Sequence, residues 1–345
     1  MRQGRMPEQR VRVAVDAMGG DHAPAEIVAG AVAAARDHGL EIVLVGKEPE
    51  VRRLLTIHGV DGQVEVVPAD QEVRMHEGAL SAWRRTRSSV AIGCELVRSG
   101  QAQALVSAGS TSAVVAAATR RLGTAPGVLR PAIAVILPTR PSPMVLLDVG
   151  ATADPSPAML VQFALLGTAY AGATLGVADP RVGLLSIGAE PEKGNRLARR
   201  AHAHLAAAPV RFVGNVEGGD LLAGAADVVV TDGFTGNVVL KSLEGALRFA
   251  VTEIRDALTA HPVARLAALP HRGRLRRLAS RFDPDTYGGA ALLGLSQTVV
   301  IVHGAARARA VTNACLLARD LAGTGVVTQP LAELRPAAGQ DPPDT

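Results

Sequence analysis

Six stretches of the chain gather residues able to handle a small anion. The first is Asp16-Ala17-Met18-Gly19-Gly20-Asp21-His22-Ala23-Pro24. Paired glycines at a strand end let a ligand approach the backbone, and a following helix N-terminus favours an anion. The second, Ser107-Ala108-Gly109-Ser110-Thr111-Ser112, offers hydroxyls and free N–H groups suited to phosphate or an oxyanion. Helix capping by Ser or Thr explains it equally well. The third runs from Ser186 to Asn195 and contains Lys193, and the fourth is Gly214-Asn215-Val216-Glu217-Gly218. The fifth, Thr231-Asp232-Gly233-Phe234-Thr235-Gly236-Asn237, runs on to Lys241. It sets an acid at a strand terminus, where open α/β sheets bind ligands. The sixth is glycine-rich, Tyr287 to Gly294, with His303-Gly304 after the next strand. Taken singly, Asp21 and Asp232 read as helix caps and His303 as a satisfied buried histidine.

Lysine usage singles out one of these stretches. The chain has 36 Lys and Arg together, but only Lys47, Lys193 and Lys241 are lysines. Generic positive charge here is arginine, so a surviving lysine is a candidate for chemistry that arginine does not replace.

These turns need elements to hold them. Strand-like runs are expected at Arg12–Asp16, Glu41–Val45, Gln63–Pro68, Ala104–Ser107, Ala132–Leu137, Val145–Asp148, Val182–Ile187, Arg211–Val213, Asp227–Thr231 and Thr298–Val302, with a helix over about Ala25–Arg36 among the intervening helical patterns. Short β-branched runs without polar alternation predict strands buried on both faces, as in a mostly parallel sheet between helices. The expected organisation is a disordered extension over 1–10, a single α/β domain over 11–330 and a disordered tail over 331–345. A basic helical segment is expected at about 255–282.

Composition narrows the function. The 345 residues carry a net charge of +4, too little to imply nucleic acid by itself, and 2% aromatics leave few rings for base stacking. Cys94 and Cys315 sit in apolar helical patterns and read as buried thiols. The polar residues 1–10 do not read as a signal peptide, and no uninterrupted apolar run reaches about 18 residues. A cytoplasmic protein is expected. There is no HExxH, Cys/His cluster, Walker sequence or nucleophile elbow, so no metal constellation is expected.

Taken in order, these stretches resemble the phosphate acyltransferase family PlsX over about Arg12 to Ala322. AVDAMGGDHAP, KGN, GNVEG, TDGFTGNVVLK and YGGA…LG…HG match, and SAGST matches in altered form. Where the family usually has Asn, this chain has Ser110 and Thr152; Ser112 stands in place of Gly, and Ala305-Ala306-Arg307 in place of Ser-Ser-Asp. The resemblance implies a Rossmann-like three-layer α/β/α fold of the isopropylmalate-dehydrogenase and phosphotransacetylase type, and a homodimer. It implies transfer of a fatty acyl group from acyl carrier protein to inorganic phosphate, feeding phospholipid synthesis, with Lys193 and Asp232 as the catalytic pair and no metal or organic cofactor. Asp16, Gly19, Gly20, Asp21, His22, Ser107, Ser110, Thr111, Asn195, Asn215, Gly233, Thr235, Gly236, Asn237, Lys241 and His303 are the expected substrate- or phosphate-binding residues. In that scheme the Gly19–Gly20 and Gly233–Asn237 turns and Lys193 hold phosphate while it attacks the thioester directly.

The leucine- and arginine-bearing stretch Arg265–Arg281 suits an anionic membrane, a membrane acyltransferase partner or the acidic carrier protein, or is an ordinary solvated helix face. Peripheral membrane association is therefore part of the expectation. Two alternatives stay open: a phosphotransacetylase-like enzyme using acyl-CoA, and a non-catalytic scaffold binding carrier protein or membrane.

Overall fold

A computed structural model describes residues 11–261, 273–274 and 288–325. Each βα unit turns an uninterrupted apolar run into a buried strand and the next amphipathic run into its covering helix. The order is β1 (Arg12–Asp16), α1 (Ala25–His38), β2 (Glu41–Gly46), α2 (Glu48–Ile57), β3 (Glu65–Pro68), α3 (Ala79–Arg84), α4 (Ser89–Arg98), β4 (Ala104–Ser107) and α5 (Thr111–Leu122). There follow β5 (Ala132–Leu137), β6 (Met144–Leu147), α6 (Pro157–Leu175), β7 (Arg181–Ser186), α7 (Arg196–Ala206), β8 (Arg211–Glu217) and β9 (Val228–Val230). The described chain ends with α8 (Gly233–Thr259), β10 (Ala290–Leu293), β11 (Thr298–Ile301) and a last helix, α9 (Ala308–Thr324).

All described strands join one 11-stranded sheet in the order β3-β2-β1-β4-β11-β10-β5-β6-β9-β7-β8. One apolar core lies between the sheet and α1, α2, α6, α7 and α9. The other lies beneath α4 and α5 with Ala82 of α3 and Leu221, while α8 lends the partly buried Val239, Leu240 and Leu243. The three-layer α/β/α expectation holds.

Strand direction matters most for function. β3, β2, β1, β4 and β11 run parallel to one another. β6, β9, β7 and β8 also run parallel to one another. Between the sets, β11–β10, β10–β5 and β5–β6 are each antiparallel. Three reversals leave the two sets pointing oppositely, so their C-terminal ends open on opposite edges of the sheet.

One expectation needs amendment. The glycine-rich stretch after Tyr287 contains a strand, β10, that its sequence pattern does not predict. The 19-residue α6 bears no charged side chain and is long and apolar enough to cross a bilayer, although Gln162 and two threonines interrupt its apolar run. Here Leu160, Phe163, Ala164, Leu165 and Tyr170 of α6 are buried in the core of the fold. The expected basic segment Arg265–Arg281 lies, apart from Gly273 and the exposed Arg274, outside the described residues, as does Tyr287.

Candidate active site

The β1–β4 edge forms around Asp16. Parallel pairing sets the last residue of β1 beside Ser107, the last of β4. Ser107 Oγ donates to Asp16 Oδ2 at 2.7 Å, and the Gly109 N–H donates to Ser107 Oγ at 3.1 Å. The Met18 N–H reaches Asp16 Oδ1 at 3.2 Å. Asp16 is only 3% exposed, and burial pushes its carboxyl above the usual range, against hydrogen bonds from Ser89, Ser107 and the Met18 and Gly19 amides.

Gly19 is needed for a close approach: a Cβ there would lie 2.7 Å from Gly109 N and 2.8 Å from Asp16 Oδ2. Gly20 turns the chain at φ +112°, in the region open to glycine. The Asp21 N–H donates to Gly304 O at 2.8 Å, tying the β1 turn to the loop after β11. His303 in that loop is exposed, correcting the buried alternative, and its Nδ1 accepts from the Ala305 N–H at 3.1 Å. That bond is the backbone's, which explains why alanine suffices at 305. His22 is half-buried nearby in sequence. Ser110 occupies the N-cap position of α5 without capping it through its side chain; its hydroxyl meets Ser112 Oγ at 3.3 Å, and Thr111 opens the helix exposed.

The β6–β9–β7 edge has a second buried acid, Asp148. Its Oδ1 accepts from the amides of Ile133 (2.9 Å), Gly150 (3.0 Å) and Ala151 (2.9 Å), and its Oδ2 from Thr152 (2.7 Å). Burial again raises its carboxyl, and these amides oppose the shift. The Thr152 hydroxyl donates to Pro131 O at 3.1 Å, so this departure from the family pattern points back into the fold. Two residues beyond neighbouring β9, Asp232 caps α8: Oδ1 accepts from the Thr235 N–H at 2.7 Å and Oδ2 from Thr235 Oγ1 at 2.8 Å. Gly233 N–H donates to Thr152 O at 2.8 Å, and Gly236 packs against Asp148 O so closely that a Cβ has no room. Asn237 is exposed beside Gly150.

The Lys193 loop follows β7. The Lys193 N–H donates to Glu190 O at 3.0 Å, and Asn215 Nδ2, from β8, donates to the same carbonyl at 2.7 Å. Ser186 Oγ donates to Lys193 O at 3.3 Å. Asn195 caps α7, its Oδ1 accepting from the Ala198 N–H at 2.8 Å. The loop is therefore fixed by its backbone while the Lys193 side chain is exposed and has no ion-pair partner among the described residues. Lys241 differs. It sits eight residues into α8, about 12 Å along the axis, and pairs with Glu244 at 2.9 Å. It is not brought to the strand ends.

The expected site residues thus separate into two groups. Asp16, Gly19, Gly20, Asp21, Ser107, Ser110, Thr111 and His303 belong to the β1–β4–β11 ends, with His22 on the same turn. Lys193, Asn195, Asn215, Asp232, Gly233, Thr235, Gly236 and Asn237 belong to the opposite edge. From β1 to β9 is six strand steps, roughly 29 Å at about 4.8 Å each. Within one chain, therefore, the Gly19–Gly20 turn does not join the Gly233–Asn237 turn and Lys193 around one phosphate, a correction to the expected scheme caused by the three antiparallel reversals between them. Asp148, Ser89 and Ser186 were not among the expected site residues. A strand-terminal acid followed by glycine, as at Asp16, was the signal for Asp148; nothing local marks the two serines.

A sheet of this order between two helical layers, with glycine-rich turns at its strand ends, defines an α/β protein of the phosphotransacetylase-like fold class. The structure superposes on a phosphotransacetylase from Streptococcus pyogenes with a TM-score of 0.61 at 18% identity, covering 91% of this chain and 94% of that one. It also matches a 4-hydroxythreonine-4-phosphate dehydrogenase from Klebsiella pneumoniae with a TM-score of 0.54 at 15% identity, over 91% and 100% of the two chains. At such identities the likeness shows the fold alone. Sequence takes the assignment further. A family model described as "Fatty acid synthesis protein" matches residues 11–329. The chain is 60% identical to the phosphate acyltransferase of Thermobifida fusca, over 92% of this chain and 89% of the relative. It is 49% identical to that of Thermus thermophilus, over 92% and 97%. The chain belongs to the phosphate acyltransferase family and is an acyltransferase.

Proposed function

We propose that this chain transfers a fatty acyl group from acyl carrier protein to inorganic phosphate, giving the acyl-phosphate used in phospholipid synthesis. The observation that carries the reading is the Lys193 loop. In a chain that otherwise uses arginine, a solvent-facing ammonium stands on a backbone fixed by Asn215 and Ser186, on the same edge as the Asp232 turn. A phosphate oxygen attacks the thioester carbonyl carbon, the C–S bond breaks, and the carrier leaves as a thiol after taking up a proton. Lys193 offsets charge between phosphate and the developing oxyanion, and the amides at the start of α8 supply further donors. Asp232 fixes the turn that presents those amides. No covalent acyl-enzyme is part of this scheme.

The opposite edge, with Asp16, Gly19, Gly20, Asp21, His22, Ser107, Ser110, Thr111 and His303, is read as a second substrate-binding lining. Whichever KM a Ser110→Ala or His303→Ala change moves, phosphate or donor, assigns that lining. A homodimer is supported by α8, which exposes Phe234 (68%), Val238, Phe249 (68%), Val251 and Ile254. A cytoplasmic enzyme working beside the membrane fits the fatty acyl product. The test is a phosphate-dependent assay of acyl-phosphate formation with acyl carrier protein and CoA donors compared. Activity only with CoA overturns the donor assignment, and a trapped acyl-protein overturns direct attack. Near-normal turnover in Lys193→Arg shows that positive charge alone suffices.

A further inference from the structure

The helix that leaves the Lys193 loop carries its charges in an unusual place. Arg196, Arg199 and Arg200 are all exposed, and spacings of three and four residues set them on one face of α7. The opposite face, with Ala198, Ala201 and Leu205, is buried against the fold. α7 has no acid in its first turn. A cation at a helix N-terminus opposes the macrodipole, so Arg196 at the first position works against the stability of α7. Local violations of such rules concentrate at functional surfaces. None of the three arginines has an ion-pair partner among the described residues. In the loop before the helix Glu190 and Glu192 stand beside Lys193. α6, packed on α7, has no charged side chain, while β7 and β8, also packed on it, carry Arg181, paired with Asp227, the exposed Arg211, paired with Asp179, and Glu217. Ile187, 80% exposed at the end of β7, adds an apolar spot on the same edge.

We propose that the Arg196–Arg199–Arg200 face of α7 is the docking surface for an acidic carrier protein, which it orients so that the tethered acyl thioester reaches Lys193. This rests on the acyl transfer proposed above and adds where the donor sits. Charge complementarity selects the occupant: a cationic stripe that continues directly from the Lys193 loop steers a negatively charged protein toward the reacting group.

The test is the Arg199→Glu/Arg200→Glu double variant, assayed with palmitoyl-[acyl carrier protein] and with palmitoyl-CoA. KM for the carrier donor is expected to rise about tenfold, with a weaker dependence on salt. Turnover at saturating carrier donor, KM for phosphate and the CoA rate stay as in the unaltered protein. Thermal stability is held, because both side chains are exposed and make no ion pair among the described residues. That separates lost docking from lost folding. Titration with the carrier protein alone reads the same loss without turnover. An unchanged KM for the carrier donor overturns the proposal, as does an equal loss with both donors. So does loss of retention on phosphatidylglycerol vesicles with carrier kinetics intact, which assigns the stripe to lipid. If the unaltered protein makes no acyl-phosphate from the carrier donor but binds the carrier through α7, the acyl-transfer reading fails and the docking surface stands.

Discussion

Asp16 and Asp148 close two strands at opposite edges of one sheet, and both are buried, at 3% and 0% exposure. Their partners differ in kind. Asp148 is held by four backbone N–H groups, which can only donate. Asp16 is held by two hydroxyls, Ser107 and Ser89, and by two amides, those of Met18 and Gly19. A hydroxyl can turn from donor to acceptor, and an amide N–H cannot. The β6 acid is therefore a fixed staple under the Gly233 turn, whereas the β1 acid sits in a network that can re-form around a changed charge. Gly19 and Gly233 repeat the same device, each with Cβ space closed by its aspartate, at 2.8 Å from Oδ2 in both cases.

The largest effect is expected from the edge that holds the lysine. Lys193→Ala should lower turnover by about 100-fold or more, the scale of one lost charge-stabilising donor, while the thermal midpoint stays put because the side chain is exposed. A matching loss of stability would show that the loop, and not the ammonium, is what the residue supports. Next comes Asp148→Asn, in which the Thr152 N–H would face another donor. A loss of about 2 kcal/mol in denaturant unfolding is expected; an unaltered midpoint would erase the contrast with Asp16.

Asp16→Asn should have the opposite sign at neutral pH. Burial raises the Asp16 carboxyl in the folded state, so the folded protein holds that proton to higher pH than the unfolded chain. The stability linked to it is present below the ordinary carboxylate value and is lost as pH rises to the raised one. At pH 7 the asparagine variant should match or exceed the parent in unfolding midpoint, with a flatter pH profile above the acidic range. Loss of activity in such a variant would place Asp16 in the chemistry of its edge. Asp232→Asn retains a cap oxygen and should change stability by no more than about 0.5 kcal/mol; its effect on kcat separates cap from catalyst. The smallest effect is expected from thiol alkylation. Burial pushes Cys94 and Cys315 up to about 12, so iodoacetamide should leave the native enzyme's activity intact.

Much of the architecture was readable along the chain. The apolar runs that became β1, β4, β5 and β7 stand out because a strand covered on both faces needs no polar alternation. β8 extends four residues past the expected run, to Glu217, since Gly214 and Asn215 join the ladder with β7. β10 was hidden: four residues flanked by glycines pair antiparallel on both sides, and only the arrival of β5 and β11 makes them a strand. In the candidate site, strand-end acids and the lysine were visible by type and spacing. Their structural roles were not: Asn195 also caps α7 and Asn215 props the Lys193 loop, which depends on where β8 lies beside β7.

By itself the sequence determined the turns, their chemistry, and the family. Glycine pairs, terminal acids and a rare lysine are local signals with local causes. Tertiary structure alone decided that these turns face two ways. Three antiparallel pairings at the middle of the sheet reverse one set of strands against the other, and pairing between distant segments is set by packing rather than by any residue in the turns themselves.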